Sequence, residues 1–192
     1  MEVLFHFLFE LIKVAILASI YSALILLLFK ILGKFKSGSW FDRVYKMRIR
    51  LWFITGLIIS ILLFVFMFSY WGNHGLGDSA RIPVGHGKAV DQINGSMTYI
   101  TATGYEMETL DINEFATTNN FLFAKISSDR PAATNKEIAI WNLKTNEVQF
   151  LDHFSDIEAF KSRNNIKDQL LFQDFQNQYS KYWNGWRFWL IP

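Results

Sequence analysis

Apolar residues along this chain follow two regimes. In the first third they form long unbroken runs. Val14 to Phe29 carries no charge and is extended by Ile12 before Lys13 and by Ile31 and Leu32 after Lys30. Leu51 to Trp71 is a second run, 21 residues without a charge. As a helix it would measure about 31 Å, close to the roughly 30 Å hydrocarbon core of a bilayer. The pattern predicts a two-helix transmembrane hairpin with spans of about 11–32 and 51–71, in which Lys13 and Lys30 snorkel to opposite interfaces. The chain opens Met1-Glu2 without a basic segment, and its first apolar run is too long for a signal peptide, so a retained helix is expected.

Beyond Trp71 the runs give way to short alternations. Asn94-Gly95, flanked by Val90, Ile93, Met97, Tyr99 and Ile100, predicts a hairpin of 88–93 with 96–103. Residues 120–127 (NFLFAKIS) are apolar on both faces, as a central strand is. EIAIWN and VQFL, 137–142 and 148–151, form a second hairpin across LKTNE, whereas TLDINEF reads either as a helical turn or as an edge segment. These segments predict an antiparallel sheet of about five strands.

Ser155 followed by Glu158 matches a capping box, so a short helix should start near Asp156 and break at Asn164-Asn165. A longer helix is expected over about 167–183, packing Leu171, Phe175, Tyr179 and Tyr182 on the sheet. The closing WNGWRFWLIP is too apolar for a free tail and reads as a last strand or as a segment laid back on a membrane interface. The expected fold is thus a membrane protein, a transmembrane hairpin (1–71) with a C-terminal α+β extracytoplasmic domain (72–192).

Charge orients this scheme. Between the spans, residues 33–50 hold six basic side chains, Lys34, Lys36, Arg43, Lys46, Arg48 and Arg50, against one acid, Asp42. Short loops this basic stay in the cytoplasm. Trp40 and Trp52 on that side, with Tyr70 and Trp71 on the other, fit aromatic belts. Both termini are then outside. Residues 72–192 carry 11 Lys+Arg against 14 Asp+Glu, a formal −3, which argues against nucleic acid as a partner. Without cysteine there are no disulfides or thiolate metal sites, and a domain of this size needs none. The expected location is the inner membrane of a bacterium, with the domain on the periplasmic or outer side. The match of Asn94-Gly95-Ser96 to a glycosylation acceptor is set aside in favour of the turn.

Candidate chemistry gathers in YWGNHGLGDSARIPVGHGK, residues 70–88, which holds five of the eleven glycines. It is not a phosphate loop: Ile82 stands where a glycine is needed, Ala89 where Ser or Thr would hold magnesium, and a long apolar helix precedes it. His74, Asp78 and His86 are candidate metal ligands, but their spacing matches no established zinc motif. The glycines read more simply as turns where the chain leaves the second span. Ser79 lies near Asp78 and His74, yet triads are defined by geometry and not by neighbours in sequence. No enzyme and no cofactor is expected. In the first helix, Glu10 and Lys13 share a face and could pair, either within the membrane, where they would mark an ion path or a partner contact, or, the simpler reading, at the outer interface.

The leading functional expectation is a non-enzymatic interaction protein, an accessory subunit of an envelope complex. Its partners would be the lipid bilayer and a membrane protein, with Trp183, Trp186, Phe188 and Trp189 as the candidate partner surface. The alternative is a ligand-binding or immunity-type protective module with a pocket lined by Glu106, Glu108 and Asp111. A lesser alternative is a membrane-tethered, metal-dependent enzyme.

Overall fold

The computed structural model describes residues 2–35, 40–73, 79–101, 109–127 and 136–192. It divides into two compact units, Met1–Gly77 with Gly185–Pro192, and Asp78–Asn184.

The first unit is helical. The apolar run at the start of the chain forms α1, Glu2–Phe35, which extends beyond the 11–32 expected of a span. The basic connection contains a short helix α2, Trp40–Lys46, and α3 covers Arg48–Met67. Tyr70 and Trp71 lie past the end of α3. Both α1 and α3 are long and apolar enough to cross a membrane by length and composition. They pack on each other, and α1 buries one stripe, Val14, Leu17, Ala18 and Ser22. This spacing of three and four puts those residues on one helical face. Ser22 reaches Gly56 of α3, where an added Cβ would stand 3.4 Å from the Ser22 Oγ. Small residues at such a crossing let two backbones approach closely. The hydroxyls fold back onto their own helix: Ser22 Oγ donates to Ala18 O at 2.7 Å and Thr55 Oγ1 to Leu51 O at 2.8 Å. A last helix, α6, Trp186–Leu190, belongs to this unit. The closing segment is therefore helical, not a strand.

The second unit is an antiparallel meander with two helices. Its strands are β1 (Ala80–Gly85), β2 (Lys88–Ile93), β3 (Met97–Ile100), β4 (Leu110–Thr117), β5 (Phe121–Ile126), β6 (Ile138–Asn142) and β7 (Val148–Leu151), each paired with the next. A two-residue β8, Gln173–Asp174, pairs with the second half of β4. Among the described residues the sheet thus has eight strands rather than about five.

The five strands expected from alternation are all present, and the three additions share a physical explanation. In β4 the register shifts between Ile112 and Glu114, a bulge that lets Ile112 and Phe115 enter the same core three residues apart. That spacing mimics a helical turn, although β4 is an interior strand. In β1, Pro83 interrupts the strand signal, and it is tolerated because β1 is an edge. β8 is too short to carry a pattern of its own.

Turns close the hairpins as their residues dictate. Asn94 and Gly95 both take positive φ, 52° and 64°, and Ser96 N donates to Ile93 O at 3.3 Å. This backbone matches the right-handed twist of the flanking strands. His86 and Gly87, at φ 51° and 71°, make the equivalent turn between β1 and β2.

The sheet is covered on both faces. One core joins Ile82, Val90, Ile100, Ile112, Phe115, Leu122, Trp141 and Phe175, and Tyr179 and Tyr182 pack against it from helix α5, Phe175–Trp183. The other joins Phe123, Ile138 and Ile140 to Ile157 and Phe160 of helix α4, Asp156–Arg163. Leu122, Phe123 and Ala124 are fully buried on alternate faces, which is why this stretch of β5 is apolar on both sides.

The long helix expected over 167–183 begins only at Phe175. Asp174 caps it, its Oδ1 accepting from Asn177 N at 2.7 Å. The residues between α4 and β8 belong to no helix or strand, with Leu170 and Phe172 packed on the α4 side and Leu171 exposed. The capping box at α4 takes a different form. Ser155 makes no cap bond, and Asp156 Oδ2 instead accepts from His153 N at 3.2 Å.

Candidate functional site

In the helical unit, α6 is held on α1 by two contacts. The Lys13 Nζ lies 5.0 Å from the centre of the Phe188 ring, a cation over an aromatic face. The Tyr21 hydroxyl donates to Leu190 O, one of the carbonyls that a helix end leaves without an internal partner. Ile191 N donates back to Arg187 O at 3.1 Å. On the remaining faces of α6, Trp186 and Trp189 are 61% and 72% exposed, and the Arg187 guanidinium lies over the Trp186 ring.

The four residues expected to form one aromatic surface therefore separate. Trp186, Phe188 and Trp189 are exposed on α6, whereas Trp183 is buried in the other unit, where its indole N–H donates to Arg81 O at 2.8 Å. Trp183 leaves the candidate surface because an indole needs an acceptor once its ring is buried, and the β1 backbone supplies one.

Glu10 and Lys13 lie a turn apart on α1. The Glu10 Oε1 stands 3.6 Å from His6 Nε2, its Oε2 is buried with no hydrogen-bond partner, and Lys13 turns to Phe188. The Phe7 ring meets Phe64 edge-on, which sets this group at the same end of the hairpin as Met67. At the opposite end, Phe29 meets Trp40 at a tilt and Phe41 edge-on, and Lys46 pairs with Asp42 at 3.4 Å. Lys34 closes α1, Arg43 and Lys46 are on α2, and Arg48 and Arg50 open α3. Lys36 lies outside the described residues.

Of the candidate metal ligands, His74 and Asp78 lie outside the described residues. His86 sits in the β1–β2 turn, where its Nε2–H donates to Asn119 O at 3.0 Å. A histidine at positive φ is uncommon, and this bond ties its ring to the β4–β5 turn. The two turns border a shallow cleft of about 530 Å³ lined by Pro83, Val84, His86, Thr117, Thr118 and Asp168. A smaller cavity of about 170 Å³ lies among Phe121, Glu147, Phe160 and Arg163.

Glu106 and Glu108 are outside the described residues. Asp111 belongs to a cross-strand row, Arg81, Asp91, Tyr99 and Asp111, each directly opposite the next. Arg81 grips Asp91 with two bonds, Nε to Oδ1 at 2.6 Å and Nη2 to Oδ2 at 3.3 Å. Partial burial raises the Tyr99 phenol above its ordinary value, the Asp91 carboxylate adds to the rise, and Arg81 opposes it. The row runs as a ladder across β1–β4. Elsewhere, Lys136 bonds Asp152 at 2.5 Å and holds its carboxyl below the usual range.

No family model, curated protein or solved structure matches this chain.

Proposed function

We propose that this protein is a membrane-anchored interaction protein. In this reading α1 and α3 cross the cytoplasmic membrane of a bacterium, the basic connection stays in the cytoplasm, and the sheet unit serves on the outer side as an accessory subunit of an envelope complex. One observation carries the reading. Among the described residues, nearly every exposed large apolar side chain belongs to the helical unit, from Val3 through Phe68 on α1–α3 and again on α6. Water does not tolerate so continuous an apolar surface, and hydrocarbon does. The basic residues at one end of the hairpin support its orientation.

The test is twofold. The full chain should stay in the membrane pellet after alkaline carbonate extraction. A tagged chain purified in mild detergent should retain a membrane protein at fixed stoichiometry. Release by carbonate would end the anchor reading, and a particle holding this chain alone would end the accessory-subunit reading.

A second reading, a ligand-capturing or protective module, is favoured by the cleft between the two turns, whose hydroxyl, imidazole and carboxylate lining suits a small polar ligand. Truncating Thr118 and Asp168 together would abolish such capture and leave the anchor unchanged.

A further inference from the structure

We infer that α6 is a third membrane element, a short re-entrant helix that occupies the outer leaflet beside α1 and presents Trp186 and Trp189 to lipid. The inference rests on the membrane reading above and adds to it a partner for the aromatic cluster: acyl chains and their interface rather than another protein.

The depth of α6 follows from what holds it. Lys13 and Tyr21 are roughly two turns of α1 apart, about 12 Å along its axis. Phe188 meets the first and Leu190 the second. The side chains of α1 around these contacts, Ile12, Ile16, Ile20 and Leu24, are exposed and apolar. If that face of α1 is in hydrocarbon, the helix bonded to it is there too. The order of the two contacts also gives a direction. Moving along α6 from Phe188 to Leu190 follows α1 from Lys13, near its N-terminal end, toward its middle at Tyr21, so Trp186 sits nearest the headgroups and Leu190 deepest.

The polar bookkeeping of α6 suits this environment. In hydrocarbon an unsatisfied backbone group costs several kcal/mol. Tyr21 satisfies Leu190 O, Ile191 N satisfies Arg187 O, and the hydroxyl of Tyr21 finds in the helix end the acceptor that lipid cannot supply. The Lys13 ammonium on α1 lies over the Phe188 ring, which shields it on this side. Arg187, stacked on Trp186, lies at the shallow end from which its guanidinium can snorkel to phosphates. Tryptophan is itself favoured at that level. Gly185, at φ 75°, allows the chain to turn into α6.

Because the chain has no cysteine, single thiols can be placed at will. The purified full chain would be reconstituted in phospholipid vesicles with an environment-sensitive fluorophore on W186C, L190C, I16C or L171C. Quenching is then read with nitroxides placed high or low on the acyl chain. Probes at 186 and 190 should be quenched as strongly as the one at 16, the shallow nitroxide acting more on 186 and the deep one more on 190. The probe at 171, on the sheet unit, should be spared. If 16 is quenched while 186 and 190 behave like 171, the re-entrant helix is overturned and the anchor survives. If 16 is not quenched either, both fall. As a check without labels, bromolipids should quench the native tryptophan emission, and the W186F/W189F variant should lose a measurable share of the quenchable part, the remainder coming from Trp40, Trp52 and Trp71. An unchanged quenchable fraction would also overturn the inference.

Discussion

The two units solve opposite packing problems with similar residues. In the sheet unit, Trp141, Phe115, Phe123 and Leu122 are buried to 1% exposure or less, and Phe154 and Leu171 are the large apolar side chains left exposed among the described residues. In the helical unit the buried stripe is made largely of small or slender residues, Val14, Ala18 and Ser22 with Leu17, while Phe5, Ile49, Phe53 and Leu57 stand outward. One unit puts bulk inside and polarity outside. The other puts small residues at its seam and bulk on its surface. The difference teaches that apolar content does not specify a core. What surrounds the unit decides which side the bulk faces.

The largest expected effect lies where the contrast is sharpest. Trp141→Ala should cost the sheet unit about 3–5 kcal/mol, since it removes a fully buried indole and leaves Asn146 without its N–H donor. Leu57→Ala on α3, a side chain 65% exposed, should fall within about 0.5 kcal/mol. Denaturant titration of the full chain in detergent, read by tryptophan emission, distinguishes the two. Equal costs would erase the contrast.

A smaller effect probes the seam. Gly56→Leu forces a branched side chain toward Ser22 and should destabilise the α1–α3 packing by about 1–3 kcal/mol, the usual range for overpacking. Gly56→Ala, whose Cβ would sit at ordinary contact distance, should be nearly neutral. Thermal melting in detergent, compared across both variants, tests whether this glycine is a contact or a spacer.

The smallest expected effect is a pH dependence confined to the sheet unit. The folded phenol of Tyr99 titrates above its unfolded value of about 10, raised by burial and by Asp91 against Arg81. Above pH 10 the folded state therefore binds more protons than the unfolded chain, and stability falls as pH rises through the folded pKa. Below pH 10 the contribution is fully present. Tyr99→Phe should flatten the alkaline slope of stability and leave the helical unit unaffected. An identical slope in the variant would remove Tyr99 as its source.

Five of the eight strands, the helices α1, α3 and α4 and the Asn94-Gly95 turn are legible from residue order, because each follows from local rules. β4 is not, because its bulge replaces a period of two with a step of three at Ile112 and Phe115. The start of α5 differs from the expectation because the expected stripe included Leu171, which is exposed on a segment outside any helix, and left out Asp174 as the cap. The candidate aromatic surface was legible as a composition but not as a place. Trp183 and Trp186 are three residues apart, yet one is buried against Arg81 O and the other exposed on α6.

Composition and order by themselves determine two helices long enough to cross a membrane, the basic segment between them, and the strand–turn–strand units that follow. These depend on neighbours within a few residues, and hydrogen bonding and side-chain periodicity act at that range. Only the tertiary structure decides that β8 joins β4, that His86 bonds the turn carrying Asn119, and that Lys13 and Tyr21 hold α6. Each of these joins residues far apart in the chain. Nothing local selects such partners, and they are chosen by which buried donors, acceptors and rings the folded chain must satisfy.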